Sequence, residues 1–343
     1  MKLGWKAWVG LAVSALLLWL LFRGEDLGAI AQQLATADPI WLIASGAFLT
    51  SGGLIRALRW KVLLEPLGAR TSLRSRWAAL NIGFMITNLV PARLGEIVRP
   101  LALSRMTPVS MSGALGTIVV ERLLDMLALV LLLLVTILSP AFPSGATVLG
   151  RSVAFAALMG ISVAAVALAA VGTLLIWPHL IERVVRAIAR LLPGDKEDRV
   201  VGKFESFLSG LDAARRPAAM AQAFLWSVLL WVWMAASFWS AFRAFGIELG
   251  ATAAMFTQCA VSLFVALPAG PGFIGTLQAG VSVSVQDVFG IAAEPTLSLA
   301  IGYHLAGFIP VTLLGLYYAG KVGLHLGSIE ADAHTTLEME AHQ

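Results

Sequence analysis

Residues 153–177 read VAFAALMGISVAAVALAAVGTLLIW, a stretch without one charged side chain. An α-helix rises about 1.5 Å per residue, so about 20 apolar residues cross the roughly 30 Å hydrocarbon core of a bilayer. The whole chain shares this character, because 59% of its 343 residues are hydrophobic and 13% are charged. Soluble domains carry about 25% charged residues. The composition therefore excludes a soluble enzyme and a nucleic-acid-binding domain, and it predicts an all-α, polytopic membrane helical bundle.

Other long apolar stretches accompany this one, and together they predict six full membrane spans. Besides 153–177, they are residues 5–22, 40–58, 112–138, 220–243 and 296–319. The first stretch follows Lys2 and Lys6 as in a signal peptide, but no small-residue cleavage site comes after it, so an uncleaved span is expected. The single cysteine and five scattered histidines have no metal-ligand spacing, so we expect neither a metal nor a cofactor.

Basic residues at span ends predict the orientation, since they favour the cytoplasmic side. They concentrate at the N-terminus, in 56–76, in 178–219 and after the last span, whereas loop 23–39 has one arginine against three acids. Both termini are therefore expected in the cytoplasm, in a bacterial-type inner membrane. Tryptophans near span ends, among them Trp60, are expected to form an aromatic belt.

Two apolar regions, 77–105 and 252–290, are interrupted by Pro-Ala-x-x-Gly at Pro91–Gly95 and Pro268–Gly272. Each half is too short to span comfortably, so two re-entrant helical hairpins are expected. One domain, residues 1–327, then divides into inverted halves of about 1–139 and 152–322, a pattern that points to a transporter. Two pairs of short tilted helices are the alternative. The polar tail 328–343 is expected to be disordered.

Polar residues at the first break form one candidate substrate site: Asn88, Pro91, Arg93, Gly95, Glu96 and Arg99. Charges at membrane depth are expensive, and a cation-rich break with free helix-end N–H groups suits a phosphate. The alternative is a cytoplasmic loop whose arginines only orient the chain.

Polar residues also follow one face of the span 112–138. Thr117, Glu121 and Asp125 are four apart, and Arg122 can reach Asp125. We expect this stripe to face the bundle interior, toward the first hairpin, where Arg93 or Arg99 would compensate its carboxylates. A structural ion-pair network is an equal alternative.

Two further groups complete the candidate residues. Arg56 and Arg59 end the second span, where they could bind lipid phosphates or only orient the chain. The second break brings free backbone groups that could approach a ligand, or only small residues for helix packing. Its candidates are the uncharged residues Pro268, Gly270, Gly272, Gly275 and Thr276, with Gln278 and His304 as polar neighbours.

Four blocks resemble the lysylphosphatidylglycerol synthase transmembrane-region family, also called flippase-like domain proteins. The blocks are Arg56-x-x-Arg59-Trp60, Asn88-x-x-Pro91-Ala92-Arg93-x-Gly95-Glu96-x-x-Arg99, Glu121-Arg122-x-x-Asp125 and Pro268-x-Gly270-x-Gly272-x-x-Gly275-Thr276. The resemblance covers about residues 5–322 and implies paired re-entrant helices and a lipid-handling role. In two-domain members the membrane half is thought to translocate a lysyl-phospholipid made by a fused soluble transferase. Gln278 and His304 depart from the acidic residue and the arginine common in the family, which leaves the head group open.

The leading hypothesis is a flippase-like transporter of an anionic, aminoacylated or polyprenyl-phosphate-linked lipid. Too few residues follow Lys321 for the transferase, so the chain is not expected to be an enzyme. A membrane-embedded lipid or glycolipid transferase and a non-transporting scaffold for a separate lipid-modifying enzyme are the alternatives. The expected partners are a membrane lipid, such an enzyme and further copies of the chain.

Overall fold

The computed structural model describes residues 5–68, 70–90, 94–148, 150–189 and 197–324. Over these ranges the chain is almost entirely helical, and its strands are the two-residue pair β1 (Thr147–Val148) and β2 (Arg151–Ser152). The all-α prediction is confirmed. The helices are α1 (Trp5–Phe22), α2 (Leu27–Ala35), α3 (Pro39–Leu64), α4 (Leu73–Leu89), α5 (Gly95–Met106), α6 (Met111–Ile137), α7 (Val153–Ile176), α8 (Pro178–Ala189), α9 (Glu197–Gly210), α10 (Pro217–Ala244), α11 (Ala251–Ala266), α12 (Thr276–Ser282) and α13 (Ala293–Val322).

Each predicted span coincides with a helix: α1, α3, α6, α7, α10 and α13. By length and composition, four helical stretches of the described chain can cross a membrane, namely Pro39–Leu67, Val153–Ile176, Pro217–Ala244 and Ala293–Val322. A bent pair, Trp8–Phe22 with Leu27–Ala35 at 92°, is a fifth candidate. Helix α6 is not among them, because its three charges, Glu121, Arg122 and Asp125, lie mid-helix. The fold is thus a multi-pass helical bundle with four or five candidate spans; six stays a prediction.

Polar side chains start several of these helices. The Asp38 carboxylate caps α3 by accepting from the Ile40 N–H at 2.8 Å, and Pro39 takes the first helical position. The Ser110 hydroxyl caps α6 by accepting from the Gly113 N–H at 3.0 Å. Such caps provide hydrogen-bond acceptors for N–H groups that have none inside the helix. This matters most in a membrane, because lipid tails offer no hydrogen-bond acceptor.

The first interrupted region is a helical hairpin of α4 and α5. Gly83 and Gly95 bring the two helices into backbone contact: a Cβ placed on Gly83 would lie 2.8 Å from the Gly95 carbonyl oxygen. Both helices are longer than their predicted apolar halves, because residues 73–76 and 104–106, which include three arginines, continue them. The residues at the break itself, 91–93, lie outside the described ranges.

The second interrupted region is also helical on both sides of its break. Helix α11 ends at Ala266, a short 3₁₀ turn covers Pro271–Phe273, and α12 leads into a π-helical stretch, Val283–Val288. Gly272 (φ 64°) and Gly275 (φ 90°) supply the left-handed backbone of the turn. A Cβ on Gly272 would lie 3.3 Å from the Asn88 carbonyl oxygen, so the two breaks meet. Membrane re-entry and the inverted repeat stay predictions.

Helix α9, which the sequence did not predict, supports the helix that carries the polar stripe. Gly210 of α9 and Gly116 of α6 touch through their backbones: a Cβ on Gly116 would lie 2.9 Å from the Gly210 Cα atom. Small residues allow such close packing of helices in membranes. The predicted disordered tail 328–343 lies outside the described residues.

Candidate functional site

The polar stripe of α6 is buried. Thr117 and Glu121 have no exposed surface and Asp125 is 4% exposed, although all three lie on a helix that is otherwise apolar. The Thr117 hydroxyl oxygen accepts from the Trp60 indole N–H of α3 at 2.9 Å. The expectation that this stripe faces the bundle interior is confirmed.

Glu121 joins the first hairpin to α6. The two terminal nitrogens of Arg99, on α5, each donate to one Glu121 carboxylate oxygen at 2.8 Å. Arg122 lies 3.0 Å from the same carboxylate and Arg59 lies 3.2 Å from it. The Arg99 guanidinium also stacks 3.8 Å above the Trp60 ring. Bidentate pairs of this kind combine strength with fixed geometry, so α5 is held in register on α6.

Asp125 joins the same helix to α3 and α10. It pairs with Arg59, and it accepts from the Trp231 indole N–H at 3.1 Å. Arg59 donates in addition to the Ser227 hydroxyl at 2.6 Å. Arg122, on the same helix, lies 3.9 Å from Asp125. One arginine of α3 therefore bridges both carboxylates of α6 and reaches α10.

We call these six side chains the arginine–carboxylate cluster: Arg56, Arg59, Arg99, Arg122, Glu121 and Asp125. Four guanidinium groups face two carboxylates, so the cluster carries two positive charges in excess. The Nε atoms of Arg59 and Arg99 are buried and have no hydrogen-bond acceptor among the described residues. Buried charge without a counter-ion is strongly unfavourable. This excess of positive charge is the main electrostatic feature of the cluster.

Two of the four arginines are partly exposed at the protein surface. The Arg122 side chain is 45% exposed. Arg56 is 11% exposed and lies between the rings of Phe84 and Trp231, 5.7 and 5.4 Å from their centroids, with its nearest carboxylate oxygen, on Asp125, at 3.9 Å. Arg59 and Arg99, in contrast, are committed to carboxylates.

The other candidates of the first hairpin divide between surface and core. Glu96 is exposed and close enough to Arg122 to interact with it electrostatically. Gly95 is buried against α4, and the Asn88 amide donates to the Thr312 hydroxyl of α13 at 2.9 Å. Pro91 and Arg93 lie outside the described residues, so the structure does not place them.

The second break has its own hydrogen bonds, which involve none of the cluster residues. The Gly270 N–H donates to the Ser14 hydroxyl of α1 at 2.8 Å, and the Thr276 hydroxyl donates to the Phe273 carbonyl oxygen at 3.1 Å. Pro268, on the near side of the turn, is exposed. The backbone groups of this turn thus serve partly to fix α1 against it.

Gln278 and His304 form one unit. The Gln278 side-chain oxygen accepts from the Gly275 N–H at 2.8 Å, and its nitrogen lies 3.0 Å from His304 Nδ1 on α13. With Gln278 donating, Nδ1 is the acceptor and the ring proton is on Nε2. The pair ties α12 to α13 and caps α12, a structural role.

Arg59 was expected near lipid phosphates or as an orienting charge, and Trp60 in an interfacial belt; these roles stay predictions. The structure buries both side chains completely, which the sequence did not indicate. The reason is that α3 continues to Leu64, so α6 and α10 cover both side chains. Arg76, which was counted with the loop charges, is also buried, and its Nε–H donates to the Ala57 carbonyl oxygen at 2.8 Å.

Sequence reasoning missed Ser227 and Trp231, the two partners that α10 supplies to the cluster. A serine and a tryptophan in an apolar span form no pattern that separates them from packing residues. Within the described chain, no group of three or more histidine, cysteine or acidic side chains could hold a metal ion.

Comparison with known proteins relates these features to a family. The family described as "Lysylphosphatidylglycerol synthase TM region" matches residues 7–315. A "UPF0104 membrane protein" of Methanothermobacter thermautotrophicus is 25% identical over 329 residues, 91% of this chain and 93% of that protein. "UPF0104 membrane protein MJ1078" of Methanocaldococcus jannaschii is 22% identical over 230 residues, 67% of this chain and 91% of that protein.

A third relative is longer than this chain. "Glycosyltransferase AglD" of Haloferax volcanii is 24% identical over 317 residues, which are 86% of this chain. They are 51% of that protein, so the chain spans about half the length of this relative. Together the family match and the relatives support a multi-pass membrane protein with a membrane lipid-related function.

Proposed function

The chain belongs to the lysylphosphatidylglycerol synthase transmembrane-region family, and on that premise we propose that it is a flippase-like transporter that binds a lipid phosphate at the arginine–carboxylate cluster. The observation that carries the proposal is the excess of two positive charges inside an apolar bundle. Ionisable residues in membrane bundles are expensive and mark substrate pathways. An anionic group would neutralise the excess.

Arg122 and Arg56 are the residues that we assign to the phosphate. Arg122 is half-exposed, so its donors can turn from Glu121 to a ligand. Arg56 lies near two aromatic rings, and its one carboxylate contact, to Asp125, is a long one of 3.9 Å, so its guanidinium has donors to spare. Arg59 and Arg99 connect α3 and α5 to α6 through their ion pairs with Glu121 and Asp125. Arg93, at the first break, is a further candidate from the sequence.

The substrate class follows from the positive charge of the arginines and from the negative charge of Glu96 near Arg122. Anionic phospholipids, aminoacylated phospholipids and polyprenyl-phosphate-linked lipids all carry the phosphate that arginines bind well. The exposed carboxylate of Glu96 near Arg122 would suit the amine of an aminoacylated head group. Gln278 and His304 differ from the residues that are common at these positions in the family, so experiment has to identify which of these lipids is the substrate.

Transport would use the two hairpins. We propose six spans, both termini in the cytoplasm, and inverted halves whose movement exposes the site to each side in turn. The contact between the two breaks, near Asn88 and Gly272, supports this scheme because it places the interrupted segments together. Backbone that is not helical is tolerated at membrane depth only where protein covers it or water reaches it, because lipid cannot form hydrogen bonds with its free N–H and C=O groups.

A lipid-linked glycosyl transfer is the second candidate, because one relative is named a glycosyltransferase. Glu121 and Asp125 would have to act as general base there. Both are already engaged by arginines, which leaves neither carboxylate free to meet an acceptor hydroxyl. We therefore favour the non-enzymatic role, with any transferase as a separate partner.

The test is lipid movement in proteoliposomes with acyl-labelled fluorescent phosphatidylglycerol, and with the phosphatidylcholine analogue in parallel. Arg122→Gln and Arg56→Gln should each slow phosphatidylglycerol movement about tenfold, as expected when one charge-assisted contact is lost. Arg151→Gln is the matched control, because Arg151 is exposed and also stacks on an aromatic ring, that of Phe155. Movement at the wild-type rate in both cluster variants would contradict the proposal. Turnover of a labelled sugar donor by the purified protein would favour the transferase.

A further inference from the structure

A second basic pocket lies where the first turn of α4 meets the last turns of α5 and α13. Its volume is about 300 Å³. The walls combine hydroxyl groups, two cationic side chains and apolar residues: Ser72, Arg74, Ser75, Tyr318, Lys321 and Val322, with Ala78 and Met106 beneath. None of these residues belongs to the arginine–carboxylate cluster. Pockets of this size hold small ligands or head groups.

The two cations of this pocket have no counter-ion in the part of the chain that the structure describes. Arg74 and Lys321 are both exposed, and among the described residues no carboxylate pairs with either of them. The Lys321 ammonium lies 4.5 Å above the ring of Tyr317, the residue next to Tyr318 of the pocket wall. Two positive charges on one small concave surface attract an anion.

The first turn of α4 adds hydrogen-bond donors. The Ser75 N–H donates to the Ser72 hydroxyl at 3.0 Å. The N–H groups of Leu73 and Arg74 have no acceptor in the described part of the chain. Free N–H groups and the helix dipole both favour an anion at this end. Arg76, one turn on, differs because its donors go to the Ala57 and Thr71 carbonyl oxygens.

We propose that this pocket binds a phosphate group, held by Arg74, Lys321 and the first-turn N–H groups of α4. Tyr317 and Tyr318 beside it are the aromatic residues that favour the membrane–water boundary. Basic pockets between membrane helices at that level bind phospholipid head groups. The phosphate comes from a lipid head group or from a soluble phosphate. The site does not depend on the proposed transport function.

Binding to the purified full chain in a phosphate-free, uncharged detergent tests the proposal. One arm uses inorganic phosphate, a second uses dihexanoyl-phosphatidylglycerol, and a third uses dihexanoyl-phosphatidylcholine. All arms are run in an Arg56→Gln/Arg122→Gln background, which removes both cluster residues assigned to the phosphate, so that any binding left at the cluster is the same in every variant. Isothermal titration calorimetry gives the affinity. The matched variants are Arg74→Gln/Lys321→Gln and Lys61→Gln/Arg70→Gln, which remove the same charge from exposed residues inside and outside the pocket.

The pocket variant should weaken phosphatidylglycerol or phosphate binding about 25-fold, at about fivefold for each of the two cations lost. The control variant should change it less than twofold. Saturable binding of inorganic phosphate would identify a soluble phosphate as sufficient, and binding of the lipid alone would identify the head group. Equal losses in the two variants, or no loss in the pocket variant, would overturn the proposal. Loss of transport in Arg122→Gln bears only on the proposed function.

Discussion

Replacement of Glu121 by glutamine tests whether the arginine–carboxylate cluster holds the bundle together. The substitution keeps the side-chain size and removes one negative charge. It leaves Arg99 and Arg59, whose side chains are 6% and 0% exposed, without their shared carboxylate. The new amide also turns a donor toward them. The excess positive charge of the cluster rises from two to three.

The size of the effect follows from the burial of the partners. Breaking one buried ion pair by removing a single partner lowers the free energy of unfolding by about 3–5 kcal/mol. Arg122 adds little to that figure because its side chain is 45% exposed. Folded domains have a total stability of about 5–15 kcal/mol. Glu121→Gln should therefore remove a large fraction of the stability.

The measurement is unfolding in mixed micelles, followed by circular dichroism as the fraction of dodecyl sulfate rises. Glu96→Gln is the matched control: Glu96 is exposed, so its loss should change the free energy of unfolding by less than about 0.5 kcal/mol. The double variant Glu121→Gln/Arg99→Met should recover about 1–3 kcal/mol of the sum of the single losses. A loss below about 1 kcal/mol for Glu121→Gln, or strict additivity, would refute the reasoning.

The other predictions concern packing and capping. Gly95→Ala should lower the free energy of unfolding by more than about 2 kcal/mol, because the added Cβ would meet the Gly83 backbone. Gly172→Ala is the control: this glycine has open space around it, so the change should be neutral or stabilising by up to about 1 kcal/mol. Similar thermal midpoints for the two variants would contradict the close packing of α4 on α5. Gln278→Ala should lower the free energy of unfolding by about 1 kcal/mol, because the Gly275 N–H loses its acceptor. Gln32→Ala is the control, and it should leave the free energy of unfolding unchanged because Gln32 is exposed. Equal unfolding curves for the two variants would show that the cap contributes nothing.

The parts of the fold that the sequence predicts well depend on local properties. Apolar run length decides where long helices lie, and Pro and Gly decide where they break, so the six long helices and both interrupted regions appear where expected. A contact of Arg93 or Arg99 with the carboxylates of α6 was predicted for a similar reason, and Arg99 makes it. A polar face on an apolar helix has to turn inward, and few cations were available to meet it.

The parts that could not be predicted depend on neighbours far away in the chain. Whether Arg59 and Trp60 reach the membrane surface depends on how far α6 and α10 extend beside them, and no local pattern records that. Ser227 is 168 residues from Arg59 in the chain. Helix α9 was missed because its apolar side is short and its sequence is rich in charge.

The bidentate pair between Arg99 and Glu121 has a consequence for the empty protein. Any opening of the first hairpin away from α6 separates these two groups, at about 3–5 kcal/mol when nothing replaces either partner. At equilibrium that leaves roughly one molecule in 150 to one in 5,000 open. On the proposed function, an anion bound at Arg122 and Arg56 would lower this penalty by offsetting the excess positive charge of the cluster. Opening would then be coupled to occupancy, and the protein without an anion would stay closed.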